Sequence, residues 1–158
     1  MKSWSIINQE CSQHHMSYRS SYRILPELRL VVTRYSGKIS EKEIIATKEA
    51  VRNDEAFRME YNILDDFSGT DFNITRESFS NVLTWLKDHF SWERKSAVIA
   101  NTPSQVANIL RFDSLNRDTL PMNIKIFSTF QAALQWIGID KNENPQIDAI
   151  LQLLQKEG

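Results

Sequence analysis

The chain has 158 residues, of which 41% are hydrophobic and 25% charged, ordinary values for one globular domain. Nineteen Lys and Arg against twenty Asp and Glu leave a net charge of −1, so no basic field points to nucleic acid. The four glycines (Gly37, Gly69, Gly138 and Gly158) are far apart, which excludes the clustered-glycine phosphate loops, and one cysteine, Cys11, excludes an internal disulfide.

Met1 to Ser21 carries only Ile6-Ile7 as an apolar pair. It lacks the apolar core of a signal peptide, and no later stretch approaches a membrane span. The expectation is a cytoplasmic protein with an N-terminal extension over residues 1–21, no membrane insertion and a reduced Cys11. The basic excess of the first 36 residues, five Lys and Arg against two Asp and Glu, is spread thinly and reads as solvated strand faces.

From Tyr22 the pattern is legible. Tyr22–Leu25 and Leu28–Tyr35 are β-rich runs separated by Pro26-Glu27, which predicts a tight hairpin. In the second run Leu28, Leu30 and Val32 share one face, with Val31, Thr33 and Tyr35 on the other. Ser40 to Glu43 is a capping box opening a helix to about Asn53, with Ile44, Ile45, Lys48 and Val51 at helical spacing. Tyr61–Leu64 is a short strand, and the following DDFSGTD segment, Asp65 to Asp71, reads as a polar turn at its carboxyl end.

Thr75 caps the next helix, striped by Phe79, Val82, Leu83, Leu86 and Phe90. Lys95–Ala100 suits a strand covered on both faces. Thr102-Pro103 with Gln105 opens a further helix, Ile124–Phe127 is the last strand, and Ser128 to Gln131 opens the helix that follows. The order β-β-α-β-α-β-α-β-α implies an α/β domain over residues 22–139, with a mixed, mostly parallel sheet of about five strands. Asn144-Pro145 then starts a C-terminal amphipathic helix within residues 140–158, bearing Ile147, Ile150, Leu151 and Leu154. It docks on its own domain or, by exchange with a second subunit, gives a homodimer.

The Asp65–Asp71 segment is the leading candidate site, because ligands of open α/β sheets bind beyond the carboxyl ends of strands. Asp65, Asp66 and Asp71 are oxygen donors suited to a hard cation, the alternative reading of a metal-dependent enzyme or small-molecule site. The bland reading is a turn whose Asp and Ser side chains bond their own loop. Asp65 and Asp66 are adjacent on a strand and should point to opposite faces. An EF-hand register from Asp66 fails, since Asp71 stands where the loop needs glycine.

Cys11 with His14-His15 is too incomplete for a built metal site. His89 falls beside Val82 and Trp85 on the helical wheel, as a packing histidine. No G-x-S-x-G motif or catalytic triad arrangement is present, so no residue is assigned as catalytic and no cofactor is implied. Trp85 and Trp92 are candidate interface anchors.

With LVVTRYSGKIS, NILDDFSG, KSAVIA and IKIFSTFQAALQWIG as its marks, the stretch from about Tyr22 to Ile139 resembles the STAS-like family. That is the α/β fold of anti-sigma-factor antagonists and of the cytosolic domains of sulphate transporters. The closing segment is most similar to compact stand-alone bacterial members, many uncharacterised. In the antagonists the turn reads Asp-Ser-Ser-Gly, and a partner kinase phosphorylates the serine before the glycine. Asp66-Phe67-Ser68-Gly69 matches with Phe67 in place of the first serine, so the resemblance carries the phosphoacceptor role to Ser68. Family members start a helix directly after that glycine, whereas here Thr70 to Ile74 intervene. The resemblance implies a non-enzymatic regulatory module that binds a protein partner, of the kinase or anti-sigma kind, or a small anionic ligand. Asp65, Asp66, Ser68, Gly69, Thr70 and Trp85 are its expected binding residues.

Overall fold

A computed structural model describes residues 5–9, 18–72, 74–90, 93–140, 149 and 152. Six strands form one sheet in sequential order: β1 (Ser5–Gln9), β2 (Tyr18–Leu25), β3 (Leu30–Ile39), β4 (Asn62–Phe72), β5 (Arg94–Ile99) and β6 (Met122–Phe127). The first three are antiparallel, and β3 to β6 run parallel. This is the mixed, mostly parallel α/β sheet expected, with one strand more. The extra strand β1 lies inside the segment read as an extension and pairs through Ser5–Gln9 with Tyr18–Tyr22 of β2.

Parallel neighbours need crossovers, supplied by α1 (Glu41–Arg52), α2 (Arg76–His89) and α3 (Pro103–Asn116). Right-handed crossovers that always step the same way along a sheet put every helix on one face. One buried cluster accordingly joins Ile44, Val51, Phe79, Val82, Leu83, Leu86 and Ile109 to Val31, Tyr35, Ile63, Phe67 and Val98 of the strands. The alternate strand residues Leu30, Val32, Leu64, Ala97 and Ile99 point the other way, onto Ala133, Leu134 and Ile137 of α4 (Phe130–Ile137). The central strands are thus covered twice, which their continuous apolar runs require. Leu64, fully buried, contributes about 2 kcal/mol by leaving water.

The helix starts follow the cap chemistry. Ser40 with Glu43 and Thr102 with Gln105 form capping boxes, and Thr75 accepts from the Ser78 amide. The last helix is capped by Thr129 rather than Ser128, and Gly138 ends it at φ 103°, a left-handed conformation that favours glycine. Pro26–Leu28 is a 3-10 turn, so β3 begins at Leu30, two residues later than the apolar alternation suggests.

The main departure concerns DDFSGTD. It is not a turn: β4 continues through it to Phe72, paired with β3 as far as Ile39. Arg34 partners Asp66 and Ser36 partners Gly69, so Tyr35 alone faces Phe67-Ser68 and the extra residue makes a bulge. Gly69 fits there because an added Cβ would stand 3.3 Å from the Tyr35 carbonyl oxygen. The C-terminal helix and the dimer contact drawn from it lie outside the described residues, apart from Ala149 and Gln152, which are helical and exposed. Among the described residues, no helix is long and apolar enough to cross a membrane.

Candidate functional site

Alternation along β4 sends Asp65 toward the helices and Asp66 toward the opposite face. Each meets its own cation. Lys48, on the sheet-facing side of α1, donates to both Asp65 oxygens at 2.7 Å, and both residues are 7% exposed. Asp66, 2% exposed, accepts from Arg34 Nε on β3 at 3.1 Å. Taking these charges out of water costs several kcal/mol per ion, which only close pairing and further hydrogen bonds offset.

Asp66 has a second task. Its Oδ1 accepts from the Ser68 amide at 2.9 Å and from Ser68 Oγ at 2.6 Å. Thr70 Oγ1 closes the bulge by donating to the Phe67 carbonyl at 2.6 Å. From α3, Gln105 Nε2 donates to the Ser68 carbonyl at 3.2 Å and the Thr70 carbonyl at 3.0 Å. Its Oε1 meanwhile accepts from the Asn101 and Thr102 amides at 3.0 and 3.2 Å. One buried amide therefore caps α3 and fastens that helix end to the bulge. Ser68 stands half-buried and Gly69 exposed at the surface.

The expected residues fall into two places. Asp65, Asp66, Ser68, Gly69 and Thr70 lie on one stretch of β4, but the bulge and its two faces divide their side chains. Trp85 does not join them. It stacks on His89 at 4.4 Å and contacts Phe90 at 5.7 Å, and Arg94, the first residue of β5, lies over the Phe90 ring at 5.2 Å. Asp66 is registered with Ile99 at the far end of β5, about 17 Å away at 3.3 Å per residue. The helix bonded to the Ser68 bulge is α3, reached through Gln105, a residue that sequence reasoning identified only as a cap.

His89 is the packing histidine expected, with Nδ1 2.7 Å from the Trp85 carbonyl. The cation reading of Asp65, Asp66 and Asp71 is not met by the geometry. The first two point apart and are each held by a basic side chain, and Asp71 is exposed. Among the described residues, no group of three His, Cys, Asp or Glu could hold a metal ion. Cys11, His14, His15 and Trp92 lie outside the described residues.

The helix-side surroundings of Asp65 are unusually polar for a core. Thr47 Oγ1 bonds Ser20 Oγ at 2.9 Å and donates to the Glu43 carbonyl at 2.7 Å. Thr33 and Tyr35 are buried, and their hydroxyls have no hydrogen-bond partner among the described residues. Tyr35 stacks on Phe67 at 4.7 Å. Burial, and secondly the Asp65 carboxylate, raise the Tyr35 phenol well above its ordinary value, while the neighbouring Thr47 hydroxyl offsets this only in part. Beside the Lys48–Asp65 pair lies a cavity of about 60 Å³ between the sheet and the three crossover helices. At the other end of the sheet, burial lowers Arg94 to about 10, which leaves it charged at neutral pH.

No family model matches the chain, and no curated protein matches it. Among solved structures it is similar to an uncharacterized protein from the DUF3478 family with a SpoIIAA-like fold, from Shewanella loihica PV-4. The two are 18% identical, with a TM-score of 0.48, over 87% of this chain and 97% of that one.

Two outcomes are expected of the buried groups. Lys48→Met or Asp65→Leu alone leaves a buried partner without its counter-charge and should cost about 3–5 kcal/mol in urea unfolding. The double variant Lys48→Met, Asp65→Leu should recover most of that loss, and a double variant as unstable as the sum of its singles would contradict the pairing.

The second outcome concerns pH. An unfolded Tyr35 ionises near pH 10, whereas the folded one holds its proton. Above that pH the folded state binds more protons, so stability falls as pH rises. Tyr35→Phe should lie within about 1 kcal/mol of wild type at pH 7, because among the described residues the lost hydroxyl has no well-formed hydrogen bond. It should then gain on wild type above about pH 10, and parallel stability curves would contradict this.

Proposed function

We infer that this protein is a non-enzymatic, cytoplasmic regulatory module that recognises a protein partner through the Ser68–Gly69 bulge and the adjoining start of α3. The carrying observation is the Ser68 hydroxyl, half-exposed and held by Asp66, which is itself held by Arg34. Phosphorylation of Ser68 would add about two negative charges and replace a donor with acceptors. The phosphate would repel Asp66 and compete for Arg34, so a covalent mark at the surface would reach a buried ion pair. The resemblance to anti-sigma-factor antagonists supports the same residue as phosphoacceptor and a kinase or anti-sigma-like protein as partner.

Further support comes from α3 itself. Leu110 is the exposed large hydrophobic residue among those described, at 56%. It lies with Arg76, Ala107 and Arg111 along a groove outside that helix. An exposed apolar side chain flanked by two arginines offers an anchor with a charged rim.

The reading is tested by retaining partners from a lysate of the source organism on wild type, Ser68→Asp and Trp85→Ala proteins, with quantitative mass spectrometry. Ser68→Asp should change retention of the wild-type partner by about tenfold or more, as a hot-spot contact does. Trp85→Ala should retain it unchanged. Equal retention by all three, or no protein enriched by the wild type, would contradict the reading.

A further inference from the structure

The cavity beneath the helices has a composition unlike a packing defect. Its walls are largely apolar, with Phe79, Leu86 and Ile109 from the helices and Val98 from the sheet, and among the described residues the polar ones that line it are Lys48, Asp65 and Ser96. Lys48 directs two N–H groups to Asp65, so one of its three donors is left over. Ser96 is 6% exposed and lines the cavity. In the sheet register Ser96 stands beside Ile63, one alternate step from Asp65 on the same face. A serine hydroxyl and an ammonium N–H on an otherwise apolar wall can both hydrogen-bond a guest oxygen.

We propose that this cavity is a binding site for a small, neutral, oxygen-bearing molecule, of the short-chain alcohol or ketone class. Neutrality follows from the ion pair. A carboxylate guest would have to take Lys48 from Asp65, and an ammonium guest would have to take Asp65 from Lys48. Either exchange leaves a buried charge alone, which is strongly unfavourable. The single oxygen follows from Ser96 and the spare Lys48 donor, and the apolar body from the remaining walls. Size follows from volume: an apolar cavity of about 150 Å³ admits benzene, and this one is about 60 Å³. The site lies inside the domain and does not depend on Ser68 being a partner contact.

Methyl and amide NMR titrations with propan-1-ol, propionate, propylammonium and xenon test this directly. Propan-1-ol should give saturable shifts centred on Val98 and Ile109, and the two charged isosteres should give none there. Ser96→Ala, which removes one oxygen and keeps the shape, should weaken propan-1-ol binding about threefold to tenfold and leave xenon unaffected. Ile109→Phe should abolish the shifts by filling the space. If that variant does not fold, the Ser96→Ala comparison decides alone. Non-saturating alcohol shifts, an equal response to propionate, or a Ser96→Ala protein that binds propan-1-ol as wild type does would each overturn the proposal.

Discussion

The parallel pairing of β3 with β4, carried past a bulge, is the constraint on which the rest of the molecule turns. As long as the two strands keep step, Thr33 faces Asp65 and Arg34 faces Asp66. At Tyr35 the step is lost by one residue, and three things follow together. Phe67 lands on the Tyr35 ring, Ser68 is pushed half-way to the surface, and Gly69 passes close to the Tyr35 carbonyl. Without the bulge a regular ladder would continue, and Ser68 would simply alternate in or out like its neighbours.

Charge placement depends on the same register. Two adjacent aspartates on a doubly covered strand would ordinarily be a liability, since each must enter a low-dielectric layer. The fold resolves this by giving each face its own cation, one from a helix and one from the neighbouring strand. Asp65 then fastens α1 to the sheet from beneath, and Asp66 orients Ser68 from the other side. This division argues against one shared ligand held by both carboxylates. It also separates a buried chamber beside Asp65 from a surface feature beside Asp66.

Much of the architecture was legible in the sequence because it is written in local rules. The helices announce themselves through Ser40, Thr75 and Thr102 as caps and through apolar stripes at helical spacing. The two faces of β3 follow from alternation alone. Lys48 stood within the α1 stripe, a lone charged residue among Ile44, Ile45 and Val51, and that position is the signal that it has a buried partner. The polar strand β1 offers no such alternation of apolar residues and was not visible. The DDFSGTD segment misled for a definite reason: Asp, Ser and Gly are turn formers by local preference, and only pairing with a strand some thirty residues earlier overrides that preference. The second role of Gln105 and the separation of Trp85 from Ser68 are likewise products of register and topology, which no short-range pattern carries.

The central claim is that Asp66 to Thr70 forms a hydrogen-bonded, bulged part of β4 rather than a loop, and amide hydrogen exchange followed by NMR tests it most directly. The Ser68 amide donates to Asp66, and the flanking residues are laddered to β3, so their exchange should be slowed by orders of magnitude relative to an unstructured chain. Protection should approach that of Ile63 and Leu64 in the same strand. Exchange of Asp66, Ser68 and Thr70 at the rate of a free loop, with Ile63 and Leu64 protected, would contradict the account.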